Sequence, residues 1–401
     1  MKNILKRNIL ACYISDIVLG TYFQLPIWIV YQSKFLSFKE IAFFAGLALI
    51  VEVIMQLPTG AFADLYGRRL SLALGNLFMA LPMFLIAIYP IPEIMWAYSI
   101  MWGLGTALCM GTSKPILYDT LKSEGQVNLY PKILSRSTIA FQISAAVSIA
   151  SGGYLYQISP SLPYFISGFA SLIGLATSFL FIEPKLEKIK FKVKDFLITN
   201  RDGFVEIFKN SYMVKLTILF TLMVSIGQAS QQFFAQPYML ELGMNDIERS
   251  WVAMIIKISI AIIGAKIIHI KKIYENKYFL LIIPILMIAS LIPAGFVYLP
   301  IAYLSVVGIA FVSGNINLYI TPEINENIKS STRSTALSAQ KMIASFARAV
   351  VQWIGAYVII NASIGIFYTY LGIFSLIFIL PLAVNISNHK HKNIKNENFT
   401  I

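Results

Sequence analysis

Apolar runs of roughly twenty residues, separated by short polar stretches, recur along the whole chain. A helix of that length spans about 30 Å, the thickness of the hydrocarbon layer of a membrane. The runs are continuous rather than alternating, so they predict membrane-spanning helices and not the strands of a membrane barrel. Twelve spans are predicted, at residues 9–31, 40–62, 70–89, 93–113, 135–156, 162–182, 213–236, 250–268, 278–297, 299–320, 335–359 and 364–386.

The composition agrees with this pattern. Of the 401 residues, 57% are hydrophobic and 13% are charged, and the mean hydropathy is +0.72. A soluble domain has about a quarter of its residues charged, so this apolar excess needs a lipid environment. No cleavable signal peptide is expected, because the first span is long and lacks a small-residue cleavage site.

The net charge of +13 raises the alternative of nucleic-acid binding, which the positions of the basic residues disfavour. Only Lys34, Lys39 and Arg249 fall in the loops of one side, whereas most other Lys and Arg residues fall on the opposite side, with both termini. Loops rich in Lys and Arg stay in the cytoplasm. We therefore expect a multi-pass protein of the inner or plasma membrane with both termini cytoplasmic, no nucleic-acid partner, and contacts with anionic lipid.

One Lys-rich segment, residues 183–210, is too polar to span and separates six predicted spans from six others. Two helical bundles joined by a basic cytoplasmic linker are typical of secondary transporters. The predicted organisation is an N-terminal bundle, a cytoplasmic linker, a C-terminal bundle and a cytoplasmic tail expected to be disordered, at residues 1–182, 183–212, 213–387 and 388–401.

The stretch GAFADLYGRR, residues 60–69, places charged residues in a tight turn after the second span. Glycine permits the positive φ that a tight reversal needs. Asp64 is suited to accept hydrogen bonds at a neighbouring helix start, where the helix dipole favours an anion. A solvated positive loop with incidental glycines is the alternative.

The spacing of this stretch resembles the signature loop between helices 2 and 3 of the major facilitator superfamily. The residues that match are Gly60, Asp64, Gly67, Arg68 and Arg69. The span count and the central linker agree as well, so the resemblance covers essentially the whole chain. It implies an all-α membrane protein with 12 transmembrane helices in two six-helix bundles, the major facilitator fold.

Two further stretches look similar to that family. In PILYDTL, residues 115–121, the resemblance makes Asp119 the partner of Arg68. In STRSTALS, residues 331–338, it suggests the start of helix 11, which the signature aspartate caps in the family. The resemblance therefore implies that Asp64, Arg68 and Asp119 form a cytoplasmic latch that holds the two bundles together.

Two departures limit the resemblance. In the corresponding turn of the second half, GAKIIHIKK from Gly264, Ile268 stands where the first half has Asp64, so that copy of the latch is lost. The fifth span reads SIASGG at 148–153, without the Gly-Pro pair of similar proton-driven drug exporters. This weakens a specific prediction of antiport.

Asp16 and Glu52 are acidic residues within the first two spans, each roughly 12 Å from the cytoplasmic end. Ionisable groups inside a membrane are costly and mark functional candidates. If both face inward, burial and mutual repulsion favour the protonated form of at least one, which makes them proton-coupling candidates. The alternative is a structural role in which each carboxylate pairs with a lysine or a helix end.

The second half carries basic residues where the first carries acidic ones. Lys341, Arg348 and Gln352 share one face of the eleventh span, and Lys257 lies in the eighth. This arrangement suits an anionic or carboxylate-bearing substrate. Pairing of these cations with Asp16 and Glu52 is the alternative.

Amides supply a third group of candidates, because polar side chains seldom face lipid. In the family, helices 1, 4, 7 and 10 line the central cavity. The resemblance therefore places in that cavity Gln228, Gln231 and Gln232 of the seventh span, Asn315 and Asn317 of the tenth, and Gln24 of the first. On the first helix, Gln24 shares a face with Asp16 and Gly20.

Other chemistry is not indicated. Cys12 and Cys109 have no metal-ligand spacing and suit packing roles. His389 and His391 have nothing nearby in sequence to complete a metal site. The chain contains no phosphate-binding Gly-Lys-Ser/Thr loop and no catalytic triad, so neither an enzyme nor a cofactor is expected.

These features predict a monomeric, proton-coupled secondary active transporter with a small-molecule substrate. Efflux of an amphipathic organic compound as an antiporter, by alternating access, is the first hypothesis. Uptake or exchange of a small anionic metabolite is the second, and a non-transporting membrane sensor or scaffold is the third.

Overall fold

The computed structural model of the chain describes residues 2–183, 201–268, 279–296, 299–329 and 332–398. Every regular element within these ranges is a helix, which confirms the predicted all-α class. Contacts divide the chain into two compact units. Unit 1 comprises residues 1–191 and 245–258, and unit 2 comprises residues 192–244 and 259–401.

Unit 1 begins with eight helices. They are α1 (Lys2–Gly20), α2 (Trp28–Gln32), α3 (Phe38–Tyr66), α4 (Arg68–Ile88), α5 (Pro92–Cys109), α6 (Ser113–Ser123), α7 (Tyr130–Ile158) and α8 (Leu162–Ser178). Helix α4 packs against α5 and α8, α3 packs against α5, and α1 packs against α7. Residues 246–258 of α12 (Asp246–Ile268) also belong to this unit.

Unit 2 contains the remaining helices. They are α9 (201–207), α10 (Ser211–Ala229), α11 (Ala235–Glu241), the rest of α12, α13 (Phe279–Leu291), α14 (Leu299–Asn327), α15 (Arg333–Val358), α16 (Ile364–Phe374) and α17 (Leu380–Asn398). Wide π turns join α10 to α11 at Ser230–Phe234 and α16 to α17 at Ser375–Ile379. Helix α10 packs against α14 and α15.

Within the described ranges, six helices are long and apolar enough to cross a membrane. A seventh is added if Phe38–Gln56 and Pro58–Tyr66, which meet at a 48° bend, form one span. The bend lies at Pro58, which lacks the N–H needed to continue the helical hydrogen bonds. The chain therefore has several membrane-spanning helices, and the number twelve stays a prediction.

The first predicted span, residues 9–31, is wrong as a continuous helix. Helix α1 ends at Gly20, and an irregular turn precedes α2 at Trp28. The turn packs closely on α7, since a Cβ at Gly152 would lie 2.3 Å from the Phe23 carbonyl oxygen. Pro26, which cannot donate to a helical carbonyl, favours the break. The face predicted to be shared by Asp16, Gly20 and Gln24 is therefore interrupted.

The expectation of a disordered tail is also wrong as far as Asn398. Helix α17 runs from Leu380 to Asn398 without interruption. After Pro381 the tail contains neither glycine nor proline, so nothing in it terminates a helix that has already begun in the apolar span. The last three residues lie outside the described ranges.

Large apolar side chains cover much of the surface of both units. Ile158 and Leu304, for example, are 75% and 71% exposed. Contiguous exposed apolar surface of this extent is unfavourable in water and favourable in hydrocarbon. The surface therefore fits a multi-pass membrane protein.

Candidate functional site

The turn at residues 60–69 takes its shape from Gly67. This residue ends α3 and precedes α4, with a φ of 105° that residues with a side chain rarely adopt. Arg68, the first residue of α4, donates from Nη1 to Asp119 Oδ2 of α6 at 2.6 Å. The two side chains are 31% and 17% exposed, so the ion pair is partly shielded from solvent. The structure thus brings together the residues of the turn and the acid expected to pair with them.

Sequence analysis suggested Asp64 as an acid that accepts hydrogen bonds at a helix start. At the start of α4 the acid in that position is Glu183. The backbone N–H of Arg69 donates to the Glu183 carboxylate, and the Arg69 guanidinium lies 5.3 Å from the Phe179 ring centroid. Asp64 is exposed on the last turn of α3. A carboxylate beside the first N–H groups of a helix is stabilised by the helix dipole. Sequence analysis missed Glu183 because it is separated from the turn by four spans.

Asp16 lies in a buried polar cluster of unit 1. Its side chain accepts hydrogen bonds from Lys114 Nζ of α6 and Ser137 Oγ of α7, and Asp16 is 4% exposed. Cys12 Sγ lies 3.9 Å from Lys114 Nζ and 3.6 Å from Ser137 Oγ. We name these four residues the Asp16 cluster. The Lys114 side chain is 32% exposed, so one end of the ion pair is accessible from outside the core.

Glu52 occupies a different packing position from Asp16. It is half-buried on α3, and a Cβ added at Gly103 of α5 would lie 3.0 Å from its backbone nitrogen. Helix α3 therefore runs close to α5 at this point, while the groups that bind Asp16 belong to α6 and α7. The proposal that both acids share one environment stays a prediction.

Gln24 lies in the break between α1 and α2, where it binds α8. Its Oε1 accepts a hydrogen bond from Ser167 Oγ, which in turn accepts from the Phe23 backbone N–H at 3.0 Å. Both Gln24 and Ser167 are buried. One hydroxyl therefore binds the Gln24 side chain and also satisfies the Phe23 N–H, a backbone donor that the break releases from helical bonding.

Three aromatic side chains that sequence analysis missed lie next to this break. Tyr22 meets Trp102 edge-on at 5.4 Å between ring centroids, and Tyr98 is stacked on Trp102 at 6.2 Å with an interplanar angle of 4°. All three are half-buried. Aromatic faces of this kind bind planar apolar groups. The i, i+4 spacing of Tyr98 and Trp102 on α5 was the sequence signal that could have identified this pair.

The amides of the seventh span lie around a wide turn. Gln228, before the turn, accepts from Arg348 Nη1 of α15 at 3.4 Å. Gln231 is half-buried and Gln232 is exposed, and both belong to the turn Ser230–Phe234. The extra residue of a π turn shifts the helical register. On a regular helix Gln228, Gln231 and Gln232 would share one face, and the wide turn interrupts that face.

The remaining candidates have mixed environments. Asn315 is fully buried and donates to the Phe311 carbonyl at 2.8 Å, whereas Asn317 is exposed. Lys341 is exposed, and Lys257 Nζ lies 5.5 Å from the Phe141 ring centroid in unit 1. Gly60 lies within α3, and no heavy atom of the described residues lies within 4 Å of a Cβ added there.

Across the described ranges, no three His, Cys, Asp or Glu side chains come together in a way that could hold a metal ion. The His389 ring packs against Tyr212 with 5.1 Å between centroids. The side chains of Ile268 and His391, which sequence analysis considered, lie outside the described residues.

Comparisons with known sequences agree with the motif of the turn. A family profile of the Major Facilitator Superfamily matches residues 10–351. The chain is similar to multidrug resistance protein 1 of Bacillus subtilis (strain 168), with 24% identity over 198 residues, which is 49% of this chain and 48% of that protein. It is also similar to the uncharacterized MFS-type transporter YxaM of the same organism, with 28% identity over 144 residues, 35% of each chain. The matched segments thus span half or less of these relatives.

Solved structures with a similar fold match nearly the whole chain. The nucleoside transporter NupG has a TM-score of 0.75 and 15% identity, over 96% of this chain and 98% of that chain. A D-xylose-proton symporter has a TM-score of 0.69 and 14% identity, over 94% and 97%. The POT family transporter PepTSo has a TM-score of 0.71 and 11% identity, over 98% of both chains. At such low identities the likeness establishes the fold alone.

Proposed function

Because the chain belongs to the Major Facilitator Superfamily, we propose that it is a proton-coupled secondary active transporter that exports an amphipathic organic compound by alternating access. Members of the superfamily are transporters rather than enzymes. The proposal includes twelve membrane-spanning helices in two six-helix bundles and an inner or plasma membrane location with both termini cytoplasmic.

The observation that carries proton coupling is the Asp16 cluster. A carboxylate that is 4% exposed and bonded to Lys114 and Ser137 is stable only while its charge is balanced. Adding a proton to Asp16 removes the attraction that holds Lys114, whose side chain is 32% exposed. Protonation therefore loosens the contact between α1 and α6, which is a direct way to couple a proton to a change in helix packing. Glu52 is the second candidate proton carrier.

The substrate class follows from the side chains near the break in the first span. Tyr22, Tyr98 and Trp102 offer aromatic surface, and Gln24 is the adjacent amide. This combination suits a compound with an apolar ring system and a polar end. The relative named as a multidrug resistance protein supports export of such compounds, over the segment of about half the chain that it matches.

In this proposal the residues 60–69 with Asp119 form the cytoplasmic latch. The ion pair of Arg68 with Asp119 ties the start of α4 to α6 within unit 1, so it positions the residues of unit 1 that would form the latch. Protonation of Asp16 would act on one of these two helices, α6, through Lys114.

The test uses purified protein in proteoliposomes with an imposed pH gradient. Asp16→Asn should abolish proton-driven transport while substrate binding is retained, and Glu52→Gln tests the second candidate. The matched control is Asp202→Asn, which removes an exposed carboxylate paired with Arg201. Full proton coupling in both D16N and E52Q would reject proton coupling through these acids. Absence of any transport by the wild type would favour a sensor or scaffold.

Uptake or exchange of a small anionic metabolite is the second candidate function, and the contact of Arg348 with Gln228 favours it. A guanidinium held beside an amide is suited to bind a carboxylate. A thermal-shift screen separates the two functions, since anions should stabilise the protein in the second case and lipophilic cations or neutral drugs in the first. Unchanged anion affinity in Arg348→Ala would remove this residue from the binding site.

A further inference from the structure

Arg249 of α12 is buried in unit 1 with most of its hydrogen-bonding capacity unused. It is 1% exposed, and its Nη2 donates to the Asp246 carboxylate one turn earlier. In the described part of the chain, its Nε and Nη1 have no hydrogen-bond acceptor. A guanidinium carries five N–H donors, and buried polar groups in folded proteins are nearly always paired. The unmatched donors therefore indicate an acceptor that the protein itself does not supply.

Tyr156 of α7 presents a second unmatched group at the same place. Its hydroxyl is buried, again without a partner among the described residues. Tyr156 lies three residues after Gly153, on the same face of α7. A Cβ at Gly153 would lie 2.3 Å from the Asp246 carbonyl oxygen and 2.6 Å from Ser250 Oγ, so α12 packs directly on that face.

The charge around these groups is positive. Lys34 Nζ lies 4.9 Å from the centroid of the Tyr156 ring, and Arg249 adds a second cation. The Asp246 carboxylate contacts Arg249 and bonds to one of the three guanidinium nitrogens. Buried cations are stable when a counter-charge and acceptors surround them. The local excess of donors and of positive charge therefore calls for an anion.

A water molecule satisfies this arrangement poorly. It can accept one hydrogen bond each from the unmatched Nε and Nη1 groups, but it is neutral, so the positive charge of Arg249 and Lys34 stays unbalanced. A small anion accepts several donors at once and also balances the charge. Complete burial of Arg249 restricts the occupant to a small ion.

We propose that Arg249 and Tyr156 bind a small monovalent anion, of which chloride is the most abundant, at the contact between α7 and α12. The anion completes the hydrogen bonding of Arg249 and fastens the first turns of α12 to α7. This role is independent of the transported substrate and of proton coupling through Asp16.

The test is thermal unfolding of the purified full-length protein in increasing potassium chloride, with potassium gluconate keeping the ionic strength constant. The unfolding temperature of the wild type should rise and saturate with chloride. Tyr156→Phe, which keeps the ring, should weaken the apparent chloride affinity about fivefold to tenfold, as expected for one lost hydrogen bond to an ion. Arg249→Gln should abolish the response. Arg201→Gln is the matched control, because Arg201 is exposed and should leave the response unchanged.

Two results would overturn the proposal. One is an equal unfolding temperature in chloride and gluconate for the wild type, which would mean that water or nothing fills the site. The other is a full chloride response in Y156F, which would make the effect a general one of the ion. If R249Q fails to fold, the chloride titrations of the wild type and of Y156F still test the proposal. Bromide in crystals, located by its anomalous scattering, should lie between Arg249 and Tyr156.

Discussion

At the scale of single residues, the two glycines of the GAFADLYGRR turn have different physical roles. Gly67 has a φ of 105° and faces the Glu183 carboxylate, with 3.1 Å between a Cβ and Oε1. Gly60 lies within a helix, and in the described structure nothing approaches the site of a Cβ there. The family motif has a glycine at both positions, but only Gly67 has a backbone conformation that favours glycine.

We expect Gly67→Ala to destabilise the protein by about 1–3 kcal/mol, because alanine is strained at positive φ. Gly60→Ala is the control and should be neutral or stabilising by about 0.5–1 kcal/mol, since glycine is a poor residue inside a helix. The measurement is the unfolding midpoint of each variant in detergent. Equal destabilisation by both changes would contradict this assignment.

The residue pairs also show what sequence can predict. Asp119 was expected to pair with Arg68 because the family motif names both positions, and the structure places them 2.6 Å apart. Sequence analysis gave Lys114 no role, because its partner Asp16 is 98 residues away and no motif joins them. Long-range pairs that lack a motif depend on helix packing, which hydrophobic periodicity does not determine.

At the scale of helices, hydrophobicity located six spans that the described structure contains, or seven with the bent pair, but not the interruptions within spans. Residues 70–89 were predicted and α4 is Arg68–Ile88, because Arg68 and Arg69 mark the start of the apolar run and Pro90 follows its end. The break after Gly20 was missed, because residues 21–27 are largely apolar and look like part of a continuous span. Tertiary packing on Gly152 and Ser167 stabilises the break, and neither contact is visible in the local sequence.

Ser167→Ala tests how the break is held. The change removes the hydroxyl that binds Gln24 and the Phe23 N–H, leaving two buried polar groups unsatisfied. We expect a loss of stability of about 1–3 kcal/mol. In Ser151→Ala, the control, the lost hydroxyl bonds only to Val147 of its own helix among the described residues, and the change should stay within about 0.5 kcal/mol. The measurement is thermal unfolding of both variants. Equal shifts in unfolding temperature would argue against a role of the Ser167 hydroxyl in stabilising the break.

Helix α9 of the linker is fastened to the end of α14 by a charged contact. Lys209 Nζ donates at 2.6 Å to both Glu206 Oε1 and the Asn327 carbonyl, and Glu206 is buried. The hydrogen bond from Lys209 lowers the pKa of Glu206 below its ordinary value of 4.5. A lowered pKa in the folded state means that the ionised carboxylate stabilises the fold.

The stabilisation by Glu206 should therefore be complete above pH 4.5 and be lost as the pH falls through the lowered pKa. We expect Glu206→Gln to cost about 1–2 kcal/mol at pH 7 and progressively less below pH 4.5. The unfolding temperature of wild type and variant, measured from pH 7 to acidic pH, should converge. Asp202→Asn in the same helix should show a small difference at every pH, because its partner Arg201 is exposed. A pH-independent difference for E206Q would refute the assignment.

At the scale of the whole molecule, composition and the family motif predicted the all-α class and the superfamily. The fold covers 96% of this chain when matched to a solved nucleoside transporter. The substrate could not be predicted, because it depends on which side chains meet once the helices have packed. Tyr22, Tyr98 and Trp102, for example, belong to the first and fourth predicted spans and come together only after these spans have packed.

The predicted orientation can be tested with single cysteines in a background in which Cys12 and Cys109 are replaced by alanine. Ser33→Cys and Ser123→Cys are matched, because both serines are exposed and each bonds only within its own turn among the described residues. With both termini cytoplasmic, a membrane-impermeant maleimide should label S33C in intact cells and S123C only after permeabilisation. Labelling of both from one side would contradict three crossings between them.

The wide turn at Ser230–Phe234 has a consequence for how the seventh span can move. Tyr368 donates its hydroxyl to the Ser230 carbonyl at 2.8 Å, which fixes the position of the extra residue. If that bond breaks, the extra residue can migrate along the helix, one peptide at a time. Each step rotates the intervening side chains by about 100° around the helix axis. This rotation would change the direction in which the Gln231 and Gln232 side chains point, while the helix axis keeps its tilt.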